Sequence, residues 1–264
     1  MREVINEYYS GQGRILIGKR DNATGRAYGF RHVGNCSALS VDIAVEKFAH
    51  KESTSGLRAQ DLSVVKSQTA TMKTTCESLS NENLALGLYG KSTKVAGAAV
   101  VDEFHPFDTV DAGVIALDFP NVSLVTVKTG ADKATATAVA NVQNAAYEVD
   151  PTFGTIYVKD KTKFTGANVY VSYTYGASTK LDVFTNPVPA EVAVRFEGLN
   201  TINGEAVLIT IPRVTFDPLT GLQFINDELS NAEFTGNVLL DPKIDASTGS
   251  QFMSKFTIPA SAVV

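Results

Sequence analysis

The sequence predicts a mainly β protein. Val, Thr and Ala dominate its 264 residues, Trp is absent, and 20 Gly and 9 Pro punctuate it. Such a mixture favours strands and turns over helical bundles. Runs that alternate apolar and polar residues with a period of two recur along the chain. One short segment carries good start and stop signals for a helix. At this length the chain can bury a sizeable core, as one large β domain or as two smaller ones.

Residues 1–13 are polar, contain the adjacent Tyr8 and Tyr9, and read as an extended arm that stays loose until a partner orders it. Residues 14–19 (RILIGK) and 26–33 (RAYGFRHV) are short strands joined by a turn-rich link. Over residues 39–45, Leu39, Val41, Ile43 and Val45 share one face while Ser40, Asp42 and Ala44 share the other. That is the pattern of a half-buried strand. Residues 50–61 are polar, contain Gly56, and are too many for a tight turn. Residues 62–76 read as a second strand of unusual length, with Val64, Ala70, Met72 and Cys76 on its even face. A helix follows: Ser80 caps it, Glu82 suits its positive end, Leu79 staples onto Leu84, Leu84 and Leu88 share a face, and Gly90 stops it.

The composition changes between residues 91 and 180. Turn signals recur there, separating short strands expected at 114–118, 122–128, 135–139, 145–149, 155–159 and 168–175. This stretch reads as an all-β subdomain inserted into a core made of residues 14–90 and 181–264, because the pattern of the first third returns after it. Strands are expected in the return at 191–197, 205–214, 222–225, 233–240 and 252–258, followed by a short apolar tail.

The formal net charge of −5 argues against binding DNA or an anionic membrane through a basic patch, and is still compatible with handling DNA by repulsion. The first residues lack the apolar core of a signal peptide, and no apolar run approaches the length of a membrane span, so the expectation is a protein used without secretion or insertion. Cys36 and Cys76 are far apart in sequence, and two small buried thiols are expected in a reducing compartment.

No motif carries chemistry. Residues 87–93 (GLYGKST) echo a phosphate-binding loop, but Ala85 stands where the first glycine belongs, and the segment ends a helix instead of opening one. His32, His50 and His105 are scattered, without the spacing of metal ligands or of a nucleophile and its base. Residues 241–245 lack the alternating oxygens of a calcium loop. Glycosylation-type triplets at Asn22, Asn35 and Asn121 are read as accidental. No catalytic residue, cofactor or metal is expected, and no enzyme. More informative are three polar strand faces: Asp42 with Glu46, Thr69 and Thr71 with Lys73, and Glu233 and Thr235 with Asn237. They read either as the solvent side of a sandwich or as the lining of an aqueous channel made by several subunits.

Taken in order, YYSGQG leading into RILIGKR, GNCSALSVDIAVEKFAHKES, QDLSVVKSQTATMKTT, SNENLALGLYG, EVAVRFEGLNT, VLITIPRVTFDPLTGLQFI and AEFTGNVLLD resemble the major tail tube proteins of long-tailed, siphovirus-like bacteriophages. The segment YEVDPTFGTIYVKDKTKFTGANVYVSYTYG is similar to the β-rich insertion that some of them carry. The resemblance covers nearly the whole chain and rests on the order and character of these segments. It implies two packed antiparallel sheets with one short flanking helix. It also implies six-membered rings whose inner strands close into one β-barrel, stacked into a tube that passes double-stranded DNA.

The partners it implies are further copies of the chain, a tape-measure protein in the lumen, a tail-tip or baseplate hub and a tail terminator, with no membrane. The location it implies is the virion tail, after assembly in the host cytoplasm. It makes Asp42, Glu46, Thr69, Lys73, Glu233 and Asn237 candidates to line the lumen. Tyr8, Tyr9, Lys51, Glu52 and Arg58, with the arm, residues 51–60 and the C-terminal tail, become candidates for ring-to-ring contact. Two other readings are a tube subunit of a contractile, type VI-like injection device, and a carbohydrate-binding or adhesin module using Tyr147, Tyr157, Tyr170, Tyr173 and Tyr175.

Overall fold

The computed structural model describes residues 7–107, 113–186, 188–227, 229–244, 247 and 249–260. The chain divides into two compact units, Met1–Lys91 with Leu181–Val264, and Ser92–Lys180. Among the described residues the fold is mainly β, with several antiparallel sheets and one α-helix. The first unit opens with β1 (Gly11–Arg20), β2 (Ala27–His32), β3 (Cys36–Lys51), β4 (Gln60–Cys76) and α1 (Asn81–Gly87). Then come β5 (Lys91–Val95), β6 (Ala98–Pro106), β7 (Val114–Ala116), β8 (Val122–Gly130), β9 (Thr137–Ala138), β10 (Tyr147–Asp150), β11 (Thr155–Val158), β12 (Asn168–Tyr175) and β13 (Ser178–Asp182). The chain returns to the first unit through β14 (Glu191–Asn200), β15 (Ala206–Phe216), β16 (Ala232–Val238) and β17 (Ser254–Ile258).

In the first unit, hydrogen bonding runs β2-β1-β14-β15-β16-β4-β3, with β17 also on β15. Strand β15 works in two halves: Ala206 to Thr210 pairs with β17, and Val214 to Phe216 pairs with β16. The ladder folds over between them. Ile15 of β1 and Met72 of β4, separated by three strands along the ladder, therefore share one core with Val194, Ile211, Val214, Phe216 and Phe234. The result is two packed antiparallel layers. Gly13 is needed where β1 meets β14, because a Cβ there would collide with the Glu197 carbonyl and Gly198.

The helix begins as its sequence predicts, with the Asn83 amide donating to Ser80 Oγ at 3.2 Å. Its end differs from expectation. Tyr89, with φ 48°, takes the left-handed position, and Gly90 serves instead for close approach, since a Cβ would strike the Asp182 carbonyl oxygen.

Other expectations are corrected. Residues 11–13 belong to β1, and residues 8–10 are tied down: the Ser10 amide donates to Asn200 Oδ1 and Asn200 Nδ2 donates to the Tyr8 carbonyl, each at 3.0 Å. Residues 1–6 of the expected arm, and residues 261–264 of the tail, lie outside the described residues. The strand expected at 222–225 is irregular loop, because it has no ladder partner. Strands β5, β6 and β13 add to the expected set; their mixed polar sequences lack clean alternation.

The cysteines are not two free thiols. Register sets Cys36 opposite Cys76 on β3 and β4, with Cα atoms 4.1 Å apart, and a disulfide joins them. Unreduced, denatured protein should therefore take up no iodoacetamide, and alkylation of both cysteines should appear only after reduction. Mass spectrometry reads this directly.

The second unit holds a four-stranded sheet, β6-β12-β8-β9, and a three-stranded sheet, β10-β11-β7. Its core includes Phe107, Ile115, Val127, Ile156, Phe164, Val169 and Val171. Tyr147, Tyr170 and Tyr173 are buried, Tyr175 stacks on Phe119 with centroids 4.0 Å apart, and Tyr157 alone of these five is exposed.

Candidate functional site

Strand β16 reaches only residues 70–76 of β4. Residues 60–69 of β4 therefore pair with β3 alone. A two-stranded ribbon thus runs on beyond the two-layer body. Period-two alternation continues along it as far as Glu46, where the register shifts by one residue of β4, and no second layer remains to cover the apolar side. Leu39 and Val41 are half-buried, whereas Ile43 on the same face is 69% exposed and Val45 is also exposed. The expected half-burial of this face thus fails beyond Val41. Exposed apolar side chains also occupy the outer part of the ribbon, where Phe48 lies opposite Val64 and His50 opposite Leu62.

Over residues 40–46 of β3 and 67–75 of β4 the opposite face is polar. Register sets Asn237, Thr71 and Asp42 in one row across β16, β4 and β3, Thr235, Lys73 and Ser40 in the next, and Glu233 beside Thr75. Thr69 faces Ala44, and Glu46 faces Ser67. All six residues proposed from the sequence to line a channel (Asp42, Glu46, Thr69, Lys73, Glu233 and Asn237) lie on this one face and none is buried. Its cations are partnered: Lys73 Nζ is 3.1 Å from Asp42, and Lys66 Nζ is 2.9 Å from Glu46. With Glu233 added, acidic side chains outnumber basic ones. Asn237 Nδ2 donates to Asp217 Oδ1 at 3.0 Å, at the rim of the face.

Of the residues proposed for ring-to-ring contact, Lys51, Glu52 and Arg58 lie at the ribbon tip and are not buried. Glu52 organises the tip loop. Its carboxylate accepts from the Thr54 amide at 2.7 Å, the Ser55 amide at 2.8 Å and the Thr54 hydroxyl at 2.9 Å, and from the Ser55 hydroxyl. These donors, the Ser55 hydroxyl first, hold its pKa at about 2. His50 and Asp61 close the neck at 2.7 Å. Tyr8 and Tyr9 are exposed but lie elsewhere, at the start of β1. Tyr9 lines a cleft of about 660 Å³ with residues 35–41 at the base of β3, and Lys255 Nζ sits 5.3 Å from its ring centroid.

Three features have no clear signal in the sequence pattern. One is the disulfide beneath the polar face. Another is a partly buried ionic network: Arg20 grips Asp241 with two hydrogen bonds of 2.6 and 2.9 Å and reaches Glu191 at 3.3 Å, while Arg213 holds Glu191 at 2.5 Å. The Arg20 bond holds Asp241 below the usual carboxylate range, and Arg213 does the same for Glu191. The last is the loop after β15, where Phe224, Ile225 and Leu229 are 86%, 95% and 85% exposed. An apolar cluster flanked by turn residues with no alternation is its only trace in the sequence.

In the second unit Glu103 accepts from Tyr173 and lies 2.8 Å from His105, and burial followed by Glu103 pushes the Tyr173 phenol up. Among the described residues no group of three or more His, Cys, Asp or Glu is placed to hold a metal ion. No helix there is long and apolar enough to cross a membrane. A family model described as "Protein of unknown function UCP028589" matches residues 8–255. No curated protein matches the chain.

Proposed function

Since the chain belongs to this family of unknown function, we propose from its geometry that it is the structural subunit of a bacteriophage tail tube. In this reading rings of six copies stack into a hollow conduit for genomic DNA. The observation that carries it is the ribbon formed by the outer parts of β3 and β4, which leaves the body with a polar face as far as Glu46 and with uncovered apolar side chains. A two-stranded ribbon of this kind is marginal alone in water, and exposed apolar area of this extent marks an interaction surface.

The free edges of the ladder support the same reading. β2 and β3 end the ladder, and free edges invite pairing with another chain until a barrel removes them. The polar face would turn to the lumen. Its lysines are already paired with carboxylates, so little unpartnered cation is left for phosphate, and DNA passes without the counterion release that makes binding tight. The protein acts as a structural component and not as an enzyme, without cofactor. Its other partners are the tape-measure protein, the tail-tip hub and the terminator, in a tail assembled in the host cytoplasm.

Electron microscopy of purified protein, dilute and then concentrated, tests this. Hollow tubes or stacked six-fold rings are expected. Monodisperse monomers that persist even with tail-tip complex would overturn the proposal. Tubes of the Asp42→Lys/Glu46→Lys double variant should retain double-stranded DNA at low salt and release it at high salt, while wild-type tubes retain little at either. A filter-retention assay across a salt series measures the difference.

A further inference from the structure

The 17 residues of β4 span about 55 Å at roughly 3.3 Å each. At its first end the ribbon exposes Phe48, Leu57, Leu62 and Val64. At its last end Cys76 lies opposite Ala232, where the loop bearing Phe224, Ile225 and Leu229 enters β16. That loop is built, not trailing. The Leu219 amide donates to the Gly87 carbonyl at 2.7 Å, Asn226 Nδ2 donates to Ser230 Oγ at 2.8 Å, and Ser230 Oγ donates to the Gln223 carbonyl at 3.3 Å. So closed on itself, it turns three large apolar side chains outward.

The two clusters sit at opposite ends of one ladder and cannot meet within a single copy. Their charges are opposite. The ribbon end carries Lys47, Lys51 and Arg58 against Glu52 and Asp61, a small excess of positive charge. Between residues 217 and 231 stand Asp217, Asp227 and Glu228, with no Lys or Arg. Contact between like ends would set like charge against like. Contact between unlike ends pairs the charges and the apolar clusters together. Because the two patches differ, such contact is heterologous and propagates along an axis without closing. An exposed aromatic or aliphatic cluster on each side also supplies a substantial part of the roughly 800 Å² per partner that a stable interface buries.

We propose that the ribbon end of one copy seats on the Phe224–Ile225–Leu229 loop of a second copy, so that this loop is the acceptor through which copies add head to tail. The inference rests on the tube reading and names the partner surface within it.

The test uses full-length Leu57→Cys and Ile225→Cys variants, both changes at exposed positions, treated with a short bis-maleimide under conditions where wild-type protein sediments as assemblies. A mixture of the two variants should give a cross-linked dimer on denaturing gels, and each variant alone should give little. Asp227→Lys should raise the concentration needed for assembly about tenfold, and Arg58→Glu in the same chain should recover much of that loss. Cross-linking of either variant alone at the mixture's yield, or none in a mixture that sediments, would overturn this inference while leaving tube formation standing. Wild-type protein that never sediments, with or without tail-tip complex, would remove the tube reading and this inference together.

Discussion

Arg20→Ala should lower the unfolding free energy of the first unit by about 3–5 kcal/mol, the cost of stranding a buried charge. Asp241 has no side-chain exposure and Arg20 only 5%. Removing the guanidinium leaves the Asp241 carboxylate, among the described residues, with the Lys243 amide at 3.0 Å as its donor. Urea unfolding, followed separately for the two units, measures the loss. An Arg20→Met/Asp241→Leu double variant should lose much less, because it removes both charges and leaves neither unpaired. If the double variant lost as much as the single one, packing and not charge would be responsible.

Acid should narrow the gap between wild type and Arg20→Ala. Asp241 and Glu191 both have folded pKa values held below their unfolded ones. Their contribution is complete above the unfolded value of about 4 and is lost as pH falls through the lowered folded values. In Arg20→Ala the unpaired Asp241 gains from protonation, so acid relieves part of the variant's defect while it weakens the wild type. Unfolding midpoints taken from pH 7 downward should converge.

Excising residues 50–60 and closing the ribbon with a short Gly-containing turn should abolish tube growth and leave a folded subunit. None of the first unit's core residues falls in that segment, so the thermal midpoint should move by only a few degrees. Assembly would lose Leu57, the Lys51 and Arg58 charges and the loop organised by Glu52. Circular dichroism establishes folding and electron microscopy reads growth. A truncated protein that still forms long tubes would remove the ribbon from the assembly role.

These effects differ in how far the sequence alone announces them. Ser80 is legible as a helix cap because capping needs only the residue and its next few neighbours. The face shared by Leu39, Val41, Ile43 and Val45 is legible because strand period is local. Its burial is not: Ile43 is exposed because β16 stops opposite Ala70, a fact set far along the chain. The six polar candidates each stand out on their own strand, but only the register of β16 on β4 and of β4 on β3 gathers them into one surface. Tyr8 and Tyr9, grouped with the ribbon tip by expected role, lie instead at the start of β1.

By itself, then, the sequence determined what depends on neighbours: a mainly β chain, strand faces, one capped helix, and a set of polar residues suited to line a surface. Only the tertiary structure decided which strands meet and where pairing ends. That choice joins Cys36 to Cys76, buries Arg20 against Asp241 across 221 positions, and leaves the ribbon without a covering layer. Short-range pattern specifies side-chain direction, whereas long-range register is chosen by which apolar faces of a folded ladder can be buried together.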